Sequence, residues 1–143
     1  MKVYTEKRAL QSRKVRELIN VTPAVREVVA ASGVRNGQVT VLTQHITSGI
    51  TVNEGLPDVE RDILALLDRI APEQGDYYHS RYLPADGRLG LNPHCHVQSS
   101  LLGMHTHLAV ANGELLIGVR QNIYFAELDG PLAREYVIQV MGE

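Results

Sequence analysis

The six histidines of this chain all fall between His45 and His107, and four of them lie between His94 and His107. Imidazole serves as a metal ligand and as a proton carrier near neutral pH, so chemistry is expected in this stretch. His94 and His96 stand two residues apart, as do His105 and His107. On a strand that spacing points both rings to one face, whereas on a helix it separates them by roughly 200°. His105 and His107 open a strand-like run and could hold a metal jointly. His94 and His96 precede residues 97–102 with Gly103 at the end, a short helix on which only one of the pair would face a site. A catalytic metal site needs three protein ligands and an open position. His45 at a strand end, His79 in a long loop and His96 are the candidates, with Glu54 and Asp58 as nearby acids, but spacing does not select among the histidines. No His-Glu-x-x-His pattern occurs. Cys95, flanked by two histidines, could suggest a Cys–His nucleophile, yet neighbours in sequence rarely face one another. The small polar run from Thr47 to Glu54 reads equally as an anion-binding segment or as a strand edge.

The elements that must position these groups follow from local pattern. Residues 1–10 and 14–21 are candidate strands with a turn at Ser12-Arg13. Thr22 as N-cap and Pro23 at the first helical position start a short helix, with Val25, Val28 and Val29 as its apolar stripe and Gly33 past its end. Val39–Thr43 is a buried strand ending near His45. A clearer helix follows Pro57, with Val59, Ile63, Leu66, Leu67 and Ile70 on one face and Pro72 as its stop. Residues 72–92 form a long loop, a length that is usually functional. Asn112-Gly113 marks a hairpin between Leu108–Val110 and Glu114–Val119. Ile123–Leu128 and Glu135–Met141 complete the strands. Consecutive hairpins with two to three helices indicate a single α+β domain, largely an antiparallel sheet in a sandwich or barrel-like arrangement.

Composition narrows the function. A chain of 143 residues fits one domain, and its 44% hydrophobic and 21% charged residues are ordinary for a globular protein. Fourteen Lys and Arg against sixteen Asp and Glu give a net charge of −2, which excludes a globally basic nucleic-acid binder. Six of the basic residues lie in the first sixteen positions, where edge protection of a strand is favoured over nucleic-acid contact. The single cysteine excludes an internal disulfide framework and suits a reducing, cytoplasmic setting. The start of the chain has no apolar run, so no signal peptide is expected, and no segment reaches the length of a membrane span. There is no phosphate-binding glycine loop.

In collinear order the chain carries His45-Ile46-Thr47-Ser48, Ile50-Thr51-Val52-Asn53-Glu54, Asp58, Tyr78-His79, and His96 followed by Ser100-Leu101-Leu102-Gly103. Gly113-Glu114-Leu115, Gly118-Val119-Arg120-Gln121-Asn122-Ile123, Glu127-Leu128-Asp129-Gly130-Pro131 and the closing Val140-Met141-Gly142-Glu143 follow. These blocks resemble the YjbQ-like family, labelled secondary thiamine-phosphate synthase, along nearly the whole chain. The resemblance implies one YjbQ-like domain over residues 1–143 and a homotrimer with sites at or near subunit boundaries. It implies a divalent metal on His45, His79 and His96. It puts Glu54, Asp58 and Asn53 nearby as polar groups; Glu54, Asp58 and His96 are the catalytic candidates, and Thr47, Ser48, Asn53, Asn92, Ser100 and Gln121 the candidates for contacting a small phosphorylated molecule. The implied activity is weak formation of thiamine monophosphate from a pyrimidine pyrophosphate and a thiazole phosphate. Imidazole ligands suit a zinc-like ion better than magnesium, so hydrolysis of a small phosphorylated compound fits the ligand set equally. A non-catalytic trimer that binds metal or anion is the alternative. Against the family pattern, Gln98 replaces a lysine, Arg120 a tryptophan and Leu132 an arginine, while His94, His105 and His107 fall outside it.

Overall fold

The computed structural model describes residues 1–81 and 91–143. Its strands are β1 (Lys2–Gln11), β2 (Glu17–Asn20), β3 (Gly37–Thr43), β4 (Ser48–Glu54), β5 (His105–Ala111), β6 (Glu114–Leu115), β7 (Gln121–Glu127) and β8 (Ala133–Gly142). Its bounded helices are α1 (Thr22–Ser32), α2 (Pro57–Ile70) and α3 (Pro93–Leu102), and residues 78–81 are also helical. Five strands pair in the order β1-β8-β3-β5-β6 and three in the order β2-β7-β4, all antiparallel. The expected α+β class with antiparallel sheets is what the chain adopts.

The two sheets face one another across the main core. Val39, Val41, Ile138 and Val140 of the larger sheet meet Ile50, Ile123 and Phe125 of the smaller, with Val25, Val28 and Val29 of α1 filling one side. On the far side of the smaller sheet, Tyr124, Ala126 and Leu128 lie beneath Ile63, Leu64 and Leu67 of α2 and Cys95 and Leu102 of α3. From Ile123 onward β7 is therefore buried on both faces, which explains its unbroken apolar run. Glu127 sits at the end of that run on the Phe125 face, where β8 presents Arg134.

Several local expectations shift. Thr22 is the first residue of α1, not its cap. Asn20 Oδ1 accepts the Thr22 N–H (3.0 Å), and the Thr22 hydroxyl accepts the Ile123 N–H (2.8 Å), so its side chain ties α1 to β7. Gly33 closes α1 with φ 65°, the left-handed conformation that favours glycine. The stripe of α2 is turned from the one expected: Ile63, Leu64 and Leu67 pack inward, while Leu66 and Ile70 stay exposed. The Asn112-Gly113 turn has φ 55° and 83°, as a tight hairpin requires, but the strand after it ends at Leu115. The run from Thr47 to Glu54 is mostly β4, an edge strand. Of the long loop, residues 82–90 lie outside the described residues, and residues 78–81 place His79 on a helical turn.

Candidate functional site

Helix α3 is seated on β4 by backbone proximity. Ser99 Oγ donates to the Ser48 carbonyl at 2.6 Å, and the Ile50 N–H donates to the Gly103 carbonyl at 3.0 Å. A Cβ on Gly49 would lie 2.9 Å from Leu102 Cβ and 3.0 Å from the Gly103 oxygen, so glycine is what permits this approach. Gln98, next to Ser99, is fully buried and donates to the Ala71 carbonyl at 2.9 Å. In this chain it anchors α3 to the end of α2.

This seating brings His96 to His79, with ring centres 5.2 Å apart and planes at 72°. Burial and the nearby His79 lower the His96 pKa, while Asp129 opposes them. A lowered imidazole pKa keeps the neutral, ligating form present near pH 7. Asp129 is held by Asn92, whose amide donates to Oδ2. Asn92 and Asp129 also line a cavity of about 340 Å³, together with Arg16, Asp68, Glu73 and His94. Buried Nδ1 of His94 has no hydrogen-bond partner among the described residues, an unusual state for a buried polar atom.

His94 and Cys95 do face one another, contrary to the sequence expectation: Nε2 lies 3.3 Å from Sγ. Cys95 Sγ also donates to the Leu128 carbonyl at 2.9 Å. Burial foremost, with the negative charge of Asp129, pushes the thiol up to about 12. No thiolate is available at neutral pH, so this cysteine is a packing group rather than a nucleophile.

The remaining expected site residues fall elsewhere. His45 Nε2 accepts the Glu135 N–H at 3.1 Å, which occupies the nitrogen a metal would need. Among the described residues no three His, Cys, Asp or Glu side chains converge as a metal-binding group, so His45 does not join His79 and His96 within one chain. Thr47 and Ser48 are buried: Thr47 Oγ1 accepts from Arg134 at 3.0 Å, and Ser48 Oγ is 2.8 Å from Thr43 Oγ1. Their hydroxyls serve the fold, not an anion. Ser100 is exposed on α3, its hydroxyl donating to the His96 carbonyl at 3.0 Å.

Asn53, Glu54, Asp58 and Gln121 gather at the opposite end of β4. Seven residues of strand at about 3.3 Å each put Glu54 roughly 20 Å from Ser48. Fourteen residues of α2 span a similar length back, from Pro57 to the Asp68 end beside α3. Glu54 pairs with Arg120 at 3.0 Å on the rim of a second, open cavity of about 400 Å³. Tyr124 donates to Glu60 at 2.9 Å, fastening the start of α2 to β7.

Sequence reasoning passed over the group that frames the histidine end. Glu127 is 0% exposed and Arg134 6%. Arg134 donates to both Glu127 oxygens, from Nη2 at 2.7 Å and Nε at 2.8 Å. Ser12 Oγ and the N–H groups of Leu128 and Asp129 complete the shell of the carboxylate. Burial would raise the Glu127 pKa, but the hydrogen bonds from Arg134, Asp129 and Ser12 outweigh it and the net shift is downward. The available signal was a lone acid inside the apolar run from Ile123 to Leu128, which required a buried partner.

A family model described as UPF0047 protein YjbQ-like matches residues 6–143. A UPF0047 protein of Methanothermobacter thermautotrophicus is 35% identical over all of this chain and 95% of its own length. YugU of Bacillus subtilis, another UPF0047 protein, is 34% identical over 93% of this chain and 96% of its own. Among solved structures, a YbjQ-like protein from Sulfolobus solfataricus superposes with a TM-score of 0.90 at 29% identity, covering 99% of both chains. A YjbQ/UPF0047-family protein from Clostridium acetobutylicum gives 0.86 at 36% identity, covering 95% of this chain and 99% of its own. With the model match spanning nearly its whole length and whole-chain relatives sharing a third of its residues, the chain belongs to the YjbQ-like UPF0047 family.

Proposed function

We propose that the protein is a metal-dependent enzyme acting on a small phosphorylated compound at the His79–His96 end, by hydrolysis or by thiamine-phosphate synthase-like transfer. The observation that carries this reading is the pairing of the His79 and His96 imidazoles. Zn–N bonds of about 2.0–2.1 Å put each ring centre roughly 3.2 Å from a shared ion, so two ligating rings sit about 4.5–5.2 Å apart at ordinary angles. The 5.2 Å separation of His79 and His96 meets that test. Two neutral nitrogen donors suit a zinc-like ion and not magnesium. When bound, such an ion supplies Lewis-acid neutralisation of a phosphate oxygen.

The cavity supports metal dependence by its own composition. Asp68, Glu73 and Asp129 place three carboxyl groups against the single guanidinium of Arg16, which already bonds Asp68. A phosphate would meet net repulsion there without a bound cation. Within that arrangement His79 and His96 hold the ion, Asn92 keeps Asp129 in place, and His94 contributes its ring to the cavity wall. We place Asn53, Glu54, Asp58 and Gln121 in the same site through a homotrimer, in which a neighbouring copy supplies the end of the molecule that one chain keeps about 20 Å away, and His45 joins from the boundary between copies.

The test is metal content and turnover together. Mass-spectrometric metal analysis of the purified chain should find a zinc-like ion, lost in His96→Ala and His79→Ala. Phosphate release from a panel of small phosphate esters, and thiamine monophosphate formation from its two precursors, should vanish with the metal. Co-assembled His96→Ala and Glu54→Gln subunits should recover turnover that neither variant has alone. A metal-free wild type whose turnover ignores chelators sinks the enzyme reading. The non-catalytic alternative draws on one observation, that no carboxyl of Glu54 or Asp58 reaches His96 within a chain. It is the outcome if metal is present and lost on mutation while no assayed rate exists.

A further inference from the structure

The second histidine pair is built on a different surface and makes no part of the site above. Strand β5 alternates, with Leu108 and Val110 toward the core and His105 and His107 on the outer, exposed face of the five-stranded sheet. Register with β3 sets His105 opposite Leu42 and His107 opposite Thr40. The two rings lie 4.8 Å apart at 63°. That value falls within the roughly 4.5–5.2 Å expected of two imidazoles on one ion. Thr40 Oγ1 lies 2.8 Å from His107 Nδ1. A hydroxyl on Nδ1 fixes the ring and directs Nε2 outward as the ligating nitrogen, the outer-shell arrangement typical of metal-bound histidine.

We infer that His105 and His107 form a second, two-histidine site for late first-row divalent ions, with Thr40 as the positioning residue and water in the remaining coordination places. The i, i+2 spacing on a hydrogen-bonded strand fixes both donors in advance, so little order is lost on binding. Two imidazoles without a carboxylate select copper, nickel or zinc over magnesium and calcium, and copper binds tightest of these.

The experiment titrates Cu(II) into the full-length His79→Ala/His96→Ala variant, read by calorimetry and by the nitrogen hyperfine pattern in electron paramagnetic resonance. One equivalent per chain with two coupled nitrogens is expected. His105→Ala or His107→Ala should weaken binding at least tenfold and leave one coupled nitrogen. Thr40→Val should weaken it less and alter the hyperfine pattern, and Thr40→Ser should restore both. If the four-histidine-to-alanine variant binds Cu(II) with unchanged stoichiometry and affinity, the assignment is wrong. Because the first pair is already absent from the titrated protein, this result stands apart from the fate of the proposed enzyme site.

Discussion

The two ends of β4 hold polar side chains in opposite states. At the Glu54 end the groups are exposed and satisfied locally. Asn53 Oδ1 accepts the Glu54 N–H at 2.8 Å, Asp58 Oδ1 accepts the Val59 N–H at 3.0 Å, and Gln121 Oε1 accepts the Gly118 N–H at 2.9 Å. At the Ser48 end α3 covers the strand, the histidines are drawn together, and His94 Nδ1 is buried without a partner. Turn and cap chemistry explains every hydrogen bond of the first group. It explains none of the histidine geometry, which exists only because tertiary packing seats α3. The histidine end depends on the fold for its shape, whereas the acid end takes its shape from local turn and cap chemistry.

Breaking the frame of the histidine end should have the largest effect. Arg134→Met leaves Glu127 buried and unpaired, a loss of about 3–5 kcal/mol. Chemical denaturation should show it, with the same cost absent from the Glu127→Met/Arg134→Met double variant if the pair is worth no more than packing. The linked pH response has a definite sign. The Glu127 pKa is lowered on folding, so its stabilisation is complete above the unfolded value of about 4.3 and disappears as pH falls through the lower folded value.

Gly49→Val tests the seating of α3. The added atoms meet Leu102 and Gly103 and should cost about 1–3 kcal/mol. Metal content should fall as the His79–His96 pair opens, while the Glu54–Arg120 end is unchanged by nuclear magnetic resonance. Glu54→Gln should do the reverse. An exposed ion pair contributes about 0–1 kcal/mol, so thermal stability should barely move and metal content should hold. Loss of metal in Glu54→Gln would show that the two ends are one site even in the resting assembly. The smallest effect is electrostatic. Asp129→Asn removes the charge that opposes the downward shift of His96, so its titration, followed by nuclear magnetic resonance, should move lower still.

Much of the fold was legible in the chain. The valines of α1, the amphipathic pattern of α2, Gly33 and the Asn112-Gly113 turn all act where local periodicity or backbone conformation places them. Thr22 was misread because its hydroxyl serves a strand 101 residues away, which no window around it contains. The stripe of α2 was rotated because Tyr124 and Leu128, not the helix, decide which side is covered. The site was less legible. His45, His79 and His96 were named together, and of these the structure brings the ring centres of His79 and His96 within 5.2 Å of one another. His45 was a candidate on the same footing, from its place at a strand end and from the resemblance, but within the chain its ring is engaged by the Glu135 N–H. Spacing told more about His105 and His107, because on a strand the spacing is itself the geometry.

The buried pairing of Glu127 with Arg134 has one more consequence, for how β7 is indexed. Side chains alternate along a strand, so a slip of one position would turn Glu127 beneath α3 and thrust Leu128 at the guanidinium. Neither misplacement is tolerable, and β7 is clamped in a single alignment, like a ratchet tooth in its notch. Asp129, two residues on, inherits that alignment, so the carboxylate that Asn92 holds is indexed by the same clamp.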